Sequence, residues 1–415
     1  MEESSNERAR DAAERVARQS YGKLVAFLAA RTGDVAGAED ALSDAFAAAL
    51  ENWPTQGVPK VPEAWLMAVA RRRGIDAARR RRTGEAAAAD IARIADELEE
   101  GRIAAGDIPD DRLRLMFACA HPAIEPAVRA PLILQTILGF DAATIASAFL
   151  VSPAGMAQRL VRAKTKIRVA GIPFRVPERA ELRGRLDAVL DAIYAAFAEG
   201  WTDPTGAEAR RRNLAEEGIW LGRLVASLLP NEPEALGLLA LMLHAEARRK
   251  ARRDDDGNFV PLDAQDPKRW DEPMILEAER LLFQANELRA PGRYQLEAAV
   301  QSAHAARAMT GVTDWAAIAL LYDALFVLTE SPVVAINRAV AVARSKGVAD
   351  GLAALDAIGG DPRLADYQPY WAARADLLAQ VGDRGGAAEA YDRAIGLESD
   401  PAVRRFLQGR RARLG

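Results

Sequence analysis

Apolar residues recur along the chain at three- and four-residue steps, and strict alternation of apolar and polar positions is almost absent. Leu42, Phe46 and Leu50 fall four apart within GAEDALSDAFAAAL and predict one amphipathic helix. Trp65, Leu66, Val69 and Ala70 give the next helical segment an apolar side, with arginines opposite and beyond. Ile145, Ala146, Phe149, Val151, Met156 and Leu160 are spaced to hold two short helices together. Proline- and glycine-containing breaks at 53–62, 101–109, 171–177, 203–204, 230–233, 254–270 and 291–292 leave segments of helical length between them. The fold class read from this pattern is all-α.

Charge divides the first part of the chain. Residues 60–82 carry eight basic and two acidic side chains, residues 83–110 carry two basic and eight acidic, and residues 111–175 carry nine basic and three acidic. Two basic blocks around an acidic bridge fit a chain that touches polyanions at two places, or two solvated helix faces. The expected organisation is a small helical domain at 1–82, an acidic linker at 83–110, a second small helical domain at 111–176 and a larger helical extension at 177–415. Near the end, ARADLLAQVGDRGGAAEAYDRAIGL places Gly382 where one helix must stop and small residues where two helices approach closely. That segment resembles a tetratricopeptide repeat, a helix pair of about 34 residues, with an ordinary helical hairpin as the alternative.

Over the whole chain of 415 residues, 50% are hydrophobic and 27% charged, with a formal net charge of -4, the balance of a soluble globular protein. A lone Cys119 excludes a disulfide framework and suits a reducing cytoplasm. The opening is charged and polar, without signal-peptide character, and the apolar run at 235–245 is far short of the ~20 residues needed to span a bilayer. A cytoplasmic protein with no membrane contact is expected.

Three segments carry candidate chemistry. In the first, Glu39, Asp40, Ser43 and Asp44 lie beside Phe46, a surface able to dock a basic partner helix or simply the capped, acidic first turn of an amphipathic helix. In the second, Arg71, Arg72, Arg73, Arg79, Arg80, Arg81 and Arg82 follow Trp65. Solvation alone does not require arginine, whose planar donor fork matches phosphate, and a neighbouring aromatic offers a face for an unstacked base. In the third, a helix ends near Gly139, Asp141 caps a short helix, and Ser152 with Pro153 starts another that carries Arg159, Arg162, Lys164, Lys166 and Arg168. This is the helix-turn-helix layout, with Ser152, Ala154, Gly155, Gln158 and Arg159 towards the major groove and Arg162 and Lys164 nearer phosphates.

Taken together, AEDALSDAF, AWLMAVARRRGIDAARRRR and LGFDAATIASAFLVSPAGMAQRLVRAKTKIR resemble, in order and separation, the conserved regions of bacterial sigma-70 family factors of the extracytoplasmic-function type. The resemblance implies core RNA polymerase and promoter DNA as partners. It makes Glu39, Asp40, Asp44 and Phe46 polymerase contacts, and puts Trp65, Arg71, Arg72, Arg73, Asp76, Arg79 and Arg80 where the family handles the minus-10 element. Arg72 stands where family members often have asparagine. The segment WPTQGVPKV falls where the family captures a flipped-out base, with Gln56 and Lys60 as its long polar side chains. The third segment corresponds to the reader of the minus-35 element, and the acidic linker to a spacer or a nucleic-acid mimic. The long continuation resembles that of a subgroup with a tetratricopeptide-like extension, which implies modulation of activity and a regulatory protein or peptide as a partner.

No catalytic constellation is present in the sequence, and no cofactor is expected. His121, His244 and His304 lack metal-ligand spacing, and Cys119 with His121 reads as a buried helix end. Tyr194, Glu199 and Trp201 read as core packing at a helix end rather than a pocket lining. Arg248, Arg249, Lys250, Arg252 and Arg253 before three aspartates read as a charged loop, with a polymerase or DNA contact as the alternative. Two readings of a different class stay open: a stand-alone helix-turn-helix regulator with a peptide-sensing tetratricopeptide domain, and a helical scaffold that binds RNA.

Overall fold

A computed structural model describes residues 2–81, 111–149, 151–201 and 209–414, with the side chains of 2–5, 18–19, 73–81, 147–148, 179–180, 183, 199 and 209–214 outside that description. The expected acidic linker at 83–110 lies outside the described residues. Among the described residues there are nineteen α-helices and no strand, so the chain is all-α as its periodicity requires. It divides into two compact units, 1–199 and 200–415.

In the first unit, α1 (Glu2–Thr32), α2 (Val35–Gln56) and α3 (Pro62–Arg81) pack on one another. The buried apolar residues of α2 are Val35, Ala38, Ala41, Leu42, Ala45, Ala49 and Trp53, so of the expected stripe Leu42, Phe46 and Leu50 only Leu42 is buried. Each four-residue step overshoots a full helical turn by about 40°. A run of two such steps therefore drifts off the core, which leaves Phe46 half-buried and Leu50 exposed. The break expected from Trp53-Pro54 is also displaced, because α2 continues through Pro54 to Gln56. Gly57, with φ +84°, ends it by donating its N–H to the Trp53 carbonyl at 3.0 Å. The loop is therefore only 57–61. Trp53 is buried, and its ring meets Trp65 of α3 edge-on at 5.6 Å.

The same unit contains α4 (Arg112–Cys119), α5 (Pro126–Leu138), α6 (Ala142–Ala148), α7 (Pro153–Val169) and all but the last two residues of α8 (Arg179–Trp201). α1 packs directly against α4 and α5. Gly22 permits that approach: a Cβ there would lie 2.1 Å from the Ile137 carbonyl oxygen. Cys119 is buried and rests 3.5 Å from the Thr136 hydroxyl, and burial pushes its thiol up to about 12.

The second unit runs through α9 (Ala209–Leu228), α10 (Pro233–Ala247), α11 (Glu272–Glu287), α12 (Arg293–Ala305), α13 (Arg307–Thr310), α14 (Trp315–Thr329), α15 (Pro332–Ser345), α16 (Val348–Asp356), α17 (Gln368–Val381), α18 (Arg384–Leu397) and α19 (Pro401–Ala412). α10 is apolar around most of its circumference and is accordingly buried among α9, α11 and α12. The Glu234 carboxylate at its start accepts N–H bonds from Tyr294 and Gln295, at 2.9 and 3.2 Å, where the orphan donors of α12 begin. Later helices stack as hairpins. Gly382 sits at φ +86° and ends α17 as its position in the sequence predicts, and Ala387, Tyr391 and Ala394 bury α18 against α17 and α19.

Candidate nucleic-acid interface

The helix-turn-helix forms from its local sequence. Gly139 takes the left-handed conformation at φ +72° and stops α5. Asp141 accepts the Thr144 N–H at 2.7 Å to start α6. Ser152 accepts the Gly155 N–H at 3.2 Å, and Pro153 occupies the first position of α7, where its missing N–H is not needed. Ile145 and Ala146 of α6 and Met156 and Leu160 of α7 are buried between the two helices. Phe149 and Val151 are half-buried beside them.

α7 turns Ser152, Ala154, Gln158, Arg159 and Arg162 to solvent, with Gly155 half-buried on its capped first turn. This run of short side chains, an amide and two guanidiniums can approach a groove closely and donate to base edges or phosphates. Lys164 lies elsewhere. Its Nζ is 2.5 Å from Glu39 Oε2 of α2, and both side chains are almost wholly buried. One turn further on, Arg168 reaches Asp34 Oδ2 at 3.3 Å. Asp34 also caps α2 by accepting the Gly37 N–H, so one carboxylate serves both helices.

Glu39 is therefore buried, whereas Asp40 and Asp44 are exposed and Phe46 is half-buried. Burial holds the Glu39 carboxyl above the usual carboxylate range despite Lys164, and Asp40 adds to the upward push. Tyr21, near the same two acids, is raised as well, again chiefly by burial.

On the other candidate surface, Gln56 is exposed at the end of α2, where its Nε2 lies 3.4 Å from Asn52 Oδ1, and Lys60 is exposed in the short loop. Trp65 is half-buried against Trp53, Arg71 is half-buried and Arg72 is exposed. Arg73, Asp76, Arg79 and Arg80 lie on the α3 backbone, and their side chains are outside the described residues. The pairing of α7 with α2 was not legible in the sequence, because Glu39 and Lys164 are 125 positions apart and no local signal connects them.

Residues 16–83 match the sigma-70 region 2 family, and residues 185–286 match a family of unknown function (DUF6596). Over 395 residues, covering 94% of this chain and 92% of the other, the sequence is 41% identical to an uncharacterized protein of Rhizobium meliloti (strain 1021). No solved structure matches the chain.

Proposed function

We propose that this chain, which belongs to one family with the uncharacterized Rhizobium meliloti protein and whose residues 16–83 match sigma-70 region 2, is a promoter-specific sigma factor of the extracytoplasmic-function type. In this reading it recruits core RNA polymerase and directs transcription initiation, and a tetratricopeptide-like C-terminal domain modulates that activity. The observation that carries the reading is the sigma-70 region 2 match across α1–α3, followed in the same unit by a helix-turn-helix with a basic outer face.

The roles divide by chemistry. Asp40, Asp44 and Phe46 supply an acidic and aromatic surface for polymerase, joined by Glu39 once Lys164 has left it. Gln56, Lys60, Trp65, Arg71 and Arg72, with Arg73, Asp76, Arg79 and Arg80 further along α3, handle the melted minus-10 strand through stacking and phosphate contacts. Ser152, Ala154, Gly155, Gln158 and Arg159 read the minus-35 element from α7, and Arg162 and Lys164 hold its phosphates. The Lys164–Glu39 pair belongs to a closed form in which each partner masks a contact the other region needs, so engagement with polymerase and DNA requires the two helices to part. The helical hairpins of the second unit support a surface for a regulatory protein or peptide. No covalent step is assigned to this chain; polymerase supplies the chemistry.

Co-elution of the full-length chain with purified core RNA polymerase tests the reading, with Asp40→Arg as the charge-reversed control. A stable complex that the control weakens supports it. Operator-like DNA binding without any polymerase complex would favour a stand-alone regulator.

A further inference from the structure

The second unit contains a cavity of about 410 Å³ between the end of α10, the segment that follows it, and α12, α14 and α15. Three guanidiniums line it, from Arg248, Arg252 and Arg344, against one carboxylate, Asp263. Asp263 is already engaged by Arg344. Arg248 is only 9% exposed; its Nε donates to the His244 carbonyl at 3.3 Å and its Nη2 to Gln301 Oε1. Arg252 donates to the Trp201 carbonyl at 2.8 Å and lies 3.8 Å from the centre of the Trp201 ring. Among the described residues no carboxylate pairs with Arg248 or Arg252. The segment read as a charged loop therefore turns two of its arginines inward.

Asp400 and Glu246, paired with Arg253 and Arg249, act on Arg252 only at longer range. Desolvated cations with no carboxylate in contact are unfavourable, and a fold that needed only packing would be better served by apolar side chains there. Both guanidiniums are held below their usual range, to about 10, by burial first and by neighbouring arginines second. His304, also lining the cavity, adds no compensating negative charge; burial, Arg248 and Arg307 push it down to about 4, so it is neutral at pH 7. Four aromatic residues, Trp201, Phe259, Trp315 and Tyr322, share the remaining walls with aliphatic and amide side chains. Among the described residues nothing hydrogen-bonds the buried Trp201 Nε1, a donor that an entering ligand could satisfy. The volume falls within the range typical of small-molecule sites.

We propose that this cavity binds a small organic anion, a planar ring bearing a carboxylate or phosphate, whose charge is received by Arg248 and Arg252 and whose ring lies among the aromatic walls. The arginines supply charge-assisted donors, and the aromatic walls supply apolar surface for the ring. The inference stands apart from the promoter reading, because no residue of 1–199 contributes to the cavity.

Isothermal titration calorimetry on the full-length chain at fixed ionic strength tests it, with benzoate and phenyl phosphate as probes and phenol and inorganic phosphate as controls. Saturable binding of at least one aryl anion is expected, with phenol and inorganic phosphate each at least tenfold weaker. Arg248→Met should weaken binding at least tenfold, and Arg252→Met carries the same test should the first variant not fold. Absence of saturable binding by both aryl anions, or equal affinity in a folded arginine variant, overturns the proposal. Equal affinity for inorganic phosphate overturns the assignment of a ring.

Discussion

Lys164 Nζ lies 2.5 Å from Glu39 Oε2, and this contact joins the second helix of the helix-turn-helix to the acidic helix α2 inside one compact unit. Both side chains are close to 10% exposed, yet the Glu39 carboxyl is still held above its ordinary range. Desolvation thus outweighs attraction at this carboxylate, so the pair selects an arrangement of helices more than it stabilises the fold.

That imbalance predicts a non-additive cycle. Lys164→Met alone leaves a buried carboxylate without a partner and should cost about 3 kcal/mol. Adding Glu39→Met to it should recover most of that loss. Urea denaturation of the full-length chain gives the three free energies, and additive losses would contradict the assignment of the pair as a specificity contact.

At Gly22 the prediction is steric. A methyl group there meets the Ile137 carbonyl, whereas one at Gly184 of α8 meets nothing within 4 Å. Gly184→Ala should therefore gain up to about 1 kcal/mol from helix propensity. Gly22→Ala should lower the melting temperature despite the same intrinsic gain. Thermal unfolding of the two variants side by side reads the difference.

His304 makes the second unit sensitive to acid. Its folded value of about 4 lies below the ordinary value of 6.5, chiefly through burial, then through Arg248 and Arg307. The folded state therefore resists protonation; its stability is intact above pH 6.5 and is lost as pH falls from there towards 4. Between pH 7 and pH 4.5 the wild-type chain should lose about 2 kcal/mol more than His304→Gln, measured by denaturant unfolding at each pH.

Arg159 and Arg162 should separate under mutation if α7 reads a major groove. Arg159→Ala should relax discrimination at one base pair by about 1–3 kcal/mol, and Arg162→Ala should weaken all sequences alike and reduce the salt slope by about 1. Binding of the polymerase complex to promoter variants over a salt series distinguishes the two. Equal loss of discrimination in both variants would remove Arg159 from base readout.

Where structure is set by neighbours in sequence, it was legible. Gly139, Asp141, Ser152, Pro153 and Gly382 act through backbone conformation and hydrogen bonds within a few residues, and each starts or stops the helix its chemistry predicts. Legibility ended where position on a helix depends on accumulated angle, as with Phe46 and Leu50, or where a helix continues through a proline, as with Pro54. It also ended at tertiary contacts. Lys164 reads as one more basic residue of a solvent-facing helix until Glu39 is placed beside it, and Arg248 and Arg252 read as a charged loop until α12 and α14 close over them. The candidate DNA-facing residues of α7 were legible because capping and periodicity fix which side of the helix is left exposed.

The most direct test of the central claim is transcription in vitro by purified core RNA polymerase on fragmented genomic DNA, with and without the full-length chain. Discrete transcripts that depend on the chain, and that disappear with Asp40→Arg, are the predicted result. Transcription that stays as unspecific with the chain as without it would contradict a sigma-factor function.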